Sequence, residues 1–144
     1  MSALSATRSL AIARELDASV MAQLQDRSLA EITQRFDLGH RAYVARVDGA
    51  SAAFGWVATR TANIGELNAT FSLPAGGRYL WNFVTLPAFR GRGIYPRLLQ
   101  AIVHAEAVEA ERFWIAYAPE NHASGAGIAK AGFDMIAEMS FDTA

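Results

Sequence analysis

The stretch Thr85-Leu86-Pro87-Ala88-Phe89-Arg90-Gly91-Arg92-Gly93-Ile94-Tyr95 joins two segments of different period. Before it, Tyr79 to Leu86 (YLWNFVTL) gathers Tyr, Trp, Phe, Val and Thr in one run, which predicts a central strand. After it, from Pro96, the residues Leu98, Leu99, Ile102, Val103 and Val108 share one helical face, with Arg97, Gln100 and Glu111 turned outward. A proline is tolerated in a first turn, where its missing N–H removes no bond. The spacing predicts a helix over 96–111 and then a strand over Arg112 to Ala118 (RFWIAYA). Strand, helix and strand in this succession form a right-handed parallel crossover.

The flanking chain supplies the rest of the sheet. A short opening strand is predicted around Ser9 to Ala13. Asp17 is placed to cap a helix over Ala18 to Gln25. Ser28 followed by Glu31 is a capping-box pattern that opens a second helix ending near Gly39, with Leu29, Ile32 and Phe36 as its buried stripe. The period then changes to that of strands: Arg41 to Val47, the hairpin signal Asp48-Gly49, and Ala53 to Thr61. A further strand over Glu66 to Ser72 precedes the break at Pro74, Gly76 and Gly77. Beyond the crossover come a helix over Ser124 to Ala131, stopped by Gly132, and a last strand over Phe133 to Phe141. This order predicts an α/β (α+β) chain folded as one domain over residues 1–144.

Composition narrows the function. Hydrophobic residues make up 52% and charged residues 19%, as in a globular chain with one substantial core. The net charge is −1, so nothing global points to nucleic acid or to an anionic membrane, and any anion site must be local. The chain has no cysteine, which excludes a disulfide scaffold, a cysteine nucleophile and thiolate metal sites. Its apolar runs are too short for a membrane span, and Leu10-Ala11-Ile12-Ala13 is too short for a signal-peptide core. A cytoplasmic location is the expectation.

The local anion site is the opening junction. A helix N-terminus leaves backbone N–H groups without helical partners and carries a partial positive charge. Gly91 and Gly93 let an anion approach the backbone, and Arg90 and Arg92 add two full charges. Together these predict a pyrophosphate site. A P-loop string is absent, and Pro96 stands where a dinucleotide fingerprint needs its third glycine. The plainer alternative is a glycine-rich turn with two solvated arginines.

In these residues the chain resembles the GNAT superfamily of acetyl-CoA-dependent acyltransferases. That family's cofactor motif is Arg/Gln-x-x-Gly-x-Gly/Ala after a strand and a proline, and here it reads PAFRGRGIY, Pro87 to Tyr95. Arg90 and Gly93 match; Tyr95 replaces Gly or Ala, as it does in related loops of the family. A second motif, Asn-x-x-Ala/Ser followed by a helix and Gly-Phe, is matched by Asn121, Ser124 and Gly132-Phe133. The resemblance covers Tyr79 to Phe141, and the N-terminal half agrees in its order of elements. It implies a mixed twisted β-sheet flanked by helices on both faces, with acetyl-CoA as co-substrate and no metal. It further implies that Phe83, Val84 and Thr85 offer backbone groups to the pantetheine arm and an N–H to the thioester carbonyl. Arg90, Gly91, Arg92, Gly93, Ile94 and Tyr95 would hold the pyrophosphate, and Asn121 and Ser124 would lie against the cofactor.

The catalytic groups are less defined. Many members of the family carry a tyrosine acid four residues before the Gly-Phe pair, where this chain has Ile128. The weak candidates are Tyr117, Asn82 and Glu66. Asn82 cannot usefully accept a proton but can orient a water or a substrate. Each has a plainer reading: Glu66 as a solvated edge charge, Tyr117 as a core aromatic with a wet hydroxyl. His122 could titrate near neutrality or simply sit at a helix entry. Phe54, Trp56, Phe71 and Trp81 are read first as core and second as an acceptor cleft. The expected function is transfer of an acetyl (acyl) group from acetyl-CoA to a small-molecule or protein amine by direct transfer. The alternative is a non-catalytic acyl-CoA-binding or sensing module on the same fold. Expected partners are acyl-CoA and the amine, with no nucleic acid or membrane, and a homodimer is an open option.

Overall fold

The computed structural model describes residues 9–64 and 69–115. Their elements are β1 (Leu10–Glu15), α1 (Ala18–Gln25), α2 (Leu29–Asp37), β2 (His40–Val47), β3 (Ala50–Ala58), β4 (Thr61–Ile64), β5 (Ala69–Ser72), β6 (Gly77–Thr85), α3 (Ile94–Glu106) and β7 (Arg112–Ile115). Strands β1, β2, β3, β6 and β7 form one sheet in that order. The first three neighbouring pairs are antiparallel and β6–β7 is parallel, so α3 is the crossover that the sequence predicts. The helix over Ser124 to Ala131 and the strand over Phe133 to Phe141 lie outside the described residues.

Local signals set the N-terminal elements. The Asp17 carboxylate accepts from the Ser19 N–H at 2.9 Å and caps α1. The Ser28 hydroxyl accepts from the Glu31 N–H at 3.1 Å and caps α2. Asp48 and Gly49 both have positive φ, 51° and 83°, in a two-residue turn between Val47 and Ala50. That pairing is what a tight hairpin compatible with strand twist requires.

The sheet is covered on both faces. On one, α3 lays Ile94, Leu98, Leu99 and Ile102 over Tyr43, Ala45, Val57 and Leu80. On the other, Met21 of α1 and Ile32 of α2 cover Ala42, Val44, Phe54 and Trp56. Alternate residues of β2 and β3 therefore enter opposite cores, and β3 is buried from Ala52 to Ala58. Each fully buried Leu or Ile contributes about 1.5–3 kcal/mol.

Four expectations are corrected. Helix α3 ends at Glu106 and not at Glu111, because Glu106 and Glu109 fold back onto Arg41 and Arg78 of the sheet. Val108 consequently leaves the core face and is 87% exposed. Leu29 is 54% exposed, since the apolar cover over α2 ends at Ile32. The strand predicted over Ala53 to Thr61 ends at Ala58, and Thr61–Ile64 pairs instead with Ala69–Ser72 as a separate two-stranded sheet.

Candidate functional site

The C-terminal half of β6 is irregular by construction. Phe54 pairs with Val84 and Trp56 with Trp81, so one residue of β3, Gly55, faces two of β6, Asn82 and Phe83. This is a β-bulge. Asn82 takes up the extra residue with φ 58°, a left-handed conformation that asparagine tolerates better than most residues. The bulge breaks the alternation of side chains. Trp81 and Val84 pack in the α1–α2 core, and Asn82 also bonds to α1 and α2, whereas Phe83 packs in the α3 core. The Phe83 ring lies across Gly55, where a Cβ would come within 2.1 Å of it, and it meets the Tyr95 ring edge-on at 5.6 Å.

Strand β6 then leaves the sheet. The Leu86 N–H donates to the Ala52 carbonyl at 2.8 Å as the last rung beside β3. Pro87 starts a short 3-10 turn over Pro87–Phe89. Gly91 and Gly93 follow with φ 78° and 73°, and Gly93 is the residue that opens α3, with no side chain capping the helix. Arg90, Gly91, Arg92 and Gly93 are exposed, Tyr95 is half-buried, and Ile94 is buried against the core. Among the described residues, a Cβ added to Gly91 or to Gly93 would meet nothing within 4 Å. The Arg90 Nε donates to the Thr85 carbonyl at 3.1 Å, which ties the turn to the end of β6. The Arg92 guanidinium lies 5.4 Å from the centre of the Phe89 ring. Two arginines, two left-handed glycines and a helix N-terminus thus converge beside the bulged strand. An anion approaching there would meet backbone donors, the helix dipole and two guanidinium groups.

On the α1–α2 face a polar cluster surrounds Asn82. Its Oδ1 accepts from the Gln25 Nε2 at 3.0 Å and from the Arg35 Nη1 at 2.9 Å. The Gln25 Oε1 accepts from the Trp56 Nε1 at 2.6 Å. The Arg35 guanidinium sits 4.8 Å from the Trp56 ring centre and 4.7 Å from that of Trp81, and its Nη2 is 3.1 Å from Glu31. Burial pushes the Arg35 pKa down against the pull of Glu31. The His40 Nδ1 accepts from the Trp81 Nε1 at 3.2 Å, so its proton is on Nε2. Burial, and then the Arg35 charge, lower the His40 pKa and favour the neutral ring.

Of the residues singled out from sequence, the structure brings together Phe83, Val84 and Thr85 with Arg90, Gly91, Arg92, Gly93, Ile94 and Tyr95. Asn82 adjoins them at the bulge. Glu66, Tyr117, Asn121, His122, Ser124 and Ile128 lie outside the described residues, and so does the side chain of Phe71. Trp56 and Phe54 are core residues, and Trp81 is partly buried beside them. The partners Gln25, Arg35 and His40 were not anticipated, because no local pattern relates them to residues of β6 about forty to sixty positions away. A glycine inside β3 opposite an asparagine inside β6 was the available signal for the bulge.

The profile described as "Acetyltransferase (GNAT) family" matches residues 10–133. Among solved structures, aminoglycoside N-acetyltransferase AAC(6')-Iy in complex with the bisubstrate analogue CoA-S-monomethyl-acetylneamine is 22% identical, with a TM-score of 0.64 over 87% of this chain and 90% of that one. An aminoglycoside acetyltransferase from an uncultured soil metagenomic sample, in complex with sisomicin, is 10% identical, with a TM-score of 0.69 over 88% of this chain and 90% of that one. A ribosomal-protein-alanine N-acetyltransferase from Brucella melitensis biovar Abortus 2308 is 14% identical, with a TM-score of 0.64 over 88% and 92%. At these identities the likeness establishes a common fold. No curated protein matches the sequence.

Proposed function

The chain belongs to the GNAT acetyltransferase family, a class of acetyl-CoA-dependent N-acetyltransferases, and we propose that its Arg90–Tyr95 turn grips the coenzyme pyrophosphate while the end of β6 holds the pantetheine arm. The observation that carries this reading is the open turn at Gly91 and Gly93. Both glycines are left-handed, neither would bring a Cβ within 4 Å of another described residue, and they lead into an uncapped helix beside two arginines. Gly49 of the β2–β3 hairpin is equally open and left-handed, so what sets the Gly91–Gly93 turn apart is the uncapped helix N-terminus it leads into and the two arginines beside it. Acetyl-CoA is the co-substrate.

The reaction is direct transfer. The neutral amine attacks the thioester carbonyl, a C–N bond forms, and the C–S bond breaks. The amine loses one proton, and the coenzyme thiolate is protonated on leaving. Binding both reactants side by side supplies much of the rate by proximity. In this reading a backbone N–H of the bulged segment Phe83–Val84 polarises the thioester carbonyl as charge develops there. The structural neighbours are named for aminoglycosides and for a ribosomal-protein alanine. An amine is the chemistry common to these, and an amine acceptor is what we assign to this chain.

Calorimetric titration with CoA and acetyl-CoA tests the site. The intact chain should bind both. Gly93→Asn keeps a residue type that tolerates the left-handed backbone but fills the open space, so the variant should fold and lose CoA affinity at least tenfold. A folded Gly93→Asn protein with unchanged CoA affinity would remove the turn from the coenzyme site.

A further inference from the structure

Among the described residues, the bulge of β6 is held from outside the strand by side chains. Opposite it, β3 offers only Gly55, and the paired positions stop at Trp81 on one side and resume at Val84 on the other. Asn82, in its left-handed conformation, is tied to α1 and α2 through its own side chain. Its Oδ1 receives two donors, Gln25 Nε2 from α1 and Arg35 Nη1 from α2. Each donor is itself fixed. Gln25 is bonded through its Oε1 to the Trp56 indole, and Arg35 lies over the Trp56 and Trp81 rings and is paired with Glu31. The Arg35 side chain is 12% exposed, so its charge is substantially withdrawn from water, and its contacts are correspondingly strong.

This is more organisation than a bulge needs for its own stability. A glycine would take φ 58° without any partner. The sequence instead places an asparagine there and carries one residue from each of two helices to its carbonyl oxygen. We propose that Gln25 and Arg35 are positioning residues that set the geometry of the β6 bulge through Asn82, and so aim the Phe83–Val84 backbone at the coenzyme thioester. The inference rests on the coenzyme reading above. It adds that helices α1 and α2, which touch no part of the Arg90–Tyr95 turn among the contacts described, control the reacting end of the bound coenzyme and not its pyrophosphate end.

That division gives a test with separable outcomes. CoA lacks the acetyl group, while acetyl-CoA carries it, so the ratio of their affinities reports on the acetyl end of the ligand and the carbonyl stretch on the carbonyl contact itself. The variant is Asn82→Gly, which keeps the left-handed backbone and removes the acceptor. The control is Asn82→Asp, which keeps an acceptor oxygen for Gln25 and Arg35. The full chain is titrated with CoA and with acetyl-CoA, and the infrared carbonyl stretch of bound acetyl-CoA is recorded. Asn82→Gly should bind CoA within about twofold of the wild type, lose its preference for acetyl-CoA, and shift the carbonyl stretch towards that of the free thioester. Asn82→Asp should retain both properties, and Arg35→Met should behave like Asn82→Gly. Wild-type affinity ratio and carbonyl stretch in Asn82→Gly overturn the positioning role while leaving the coenzyme site intact. A carbonyl stretch lost equally in Asn82→Asp also overturns it, because the acceptor oxygen would then not be the feature that matters. A wild-type chain that binds neither ligand overturns the coenzyme site itself.

Discussion

The Phe83 ring occupies the place that a side chain on Gly55 would need: a Cβ there would stand 2.1 Å from the ring Cε2 and 2.3 Å from Cδ2. The ring cannot easily yield, because Tyr95 meets it at 5.6 Å and the α3 core surrounds it. Gly55→Ala should therefore destabilise the protein by roughly 1–3 kcal/mol, the usual penalty of overpacking. The urea midpoint should fall without a change in slope. A midpoint equal to that of the wild type would mean that the ring has room to swing away and that the glycine is dispensable.

The same pair marks how far the sequence could be read. The strand run at Tyr79 to Leu86, the crossover helix and the Asp48-Gly49 hairpin were legible because each is specified by neighbours in the chain: a period, a cap, a turn dipeptide. The arginine–glycine turn was legible for the same reason. The bulge was not, because it is a relation between Gly55 and residues about thirty positions later, and a glycine inside β3 does not by itself say which residues of β6 it will face. The α1–α2 clamp was further out of reach, since Gln25 and Asn82 are brought together only by the complete sheet. Helix α3 stops short of the expected Glu111 because the periodicity continues through Val108 while tertiary ion pairs turn the chain back at Glu106.

Arg92 should act on coenzyme affinity alone. It is exposed, and its one described contact is with the Phe89 ring, whereas Arg90 also braces the turn through the Thr85 carbonyl. A charge-assisted hydrogen bond to phosphate contributes about 1.5–3 kcal/mol. Arg92→Ala should thus weaken CoA binding on the order of tenfold to a hundredfold at low salt, and leave the urea midpoint in place. The gap should narrow as salt is raised, because the contact is screened. Arg90→Ala should weaken binding and lower the midpoint together. Equal CoA affinity for Arg92→Ala and wild type at low salt would place the pyrophosphate elsewhere.

Glu106 is the ionic centre of the fold. Only 1% of its side chain is exposed, and its carboxylate accepts from the Tyr43 hydroxyl, from Arg78 Nε at 2.7 Å and from Arg41 Nη1 at 2.8 Å. These contacts join α3 to β2 and β6. Replacing both Glu106 and Arg78 by apolar residues need not be costly, but removing the Glu106 charge alone leaves Arg78, itself only 7% exposed, with the solvent-facing Glu109 as its remaining carboxylate partner. Glu106→Gln should cost roughly 3–5 kcal/mol, as breaking a buried pair does, and the double variant Glu106→Leu with Arg78→Met should recover part of the loss. The pH dependence follows from the same contacts. Burial pushes the carboxyl pKa up, but the hydrogen bonds from Tyr43, Arg78 and Arg41 and the Arg41 charge outweigh it, so the folded pKa is below the ordinary value. A depressed carboxylate contributes stability that is complete above its unfolded pKa, near about 4.3, and is lost as pH falls through the folded value. Urea midpoints measured from neutral pH downward should therefore hold steady and then drop below about pH 4.3, more steeply in the wild type than in Glu106→Gln. Parallel acid profiles in the two proteins would show that the Glu106 proton is not the one that couples acid to unfolding.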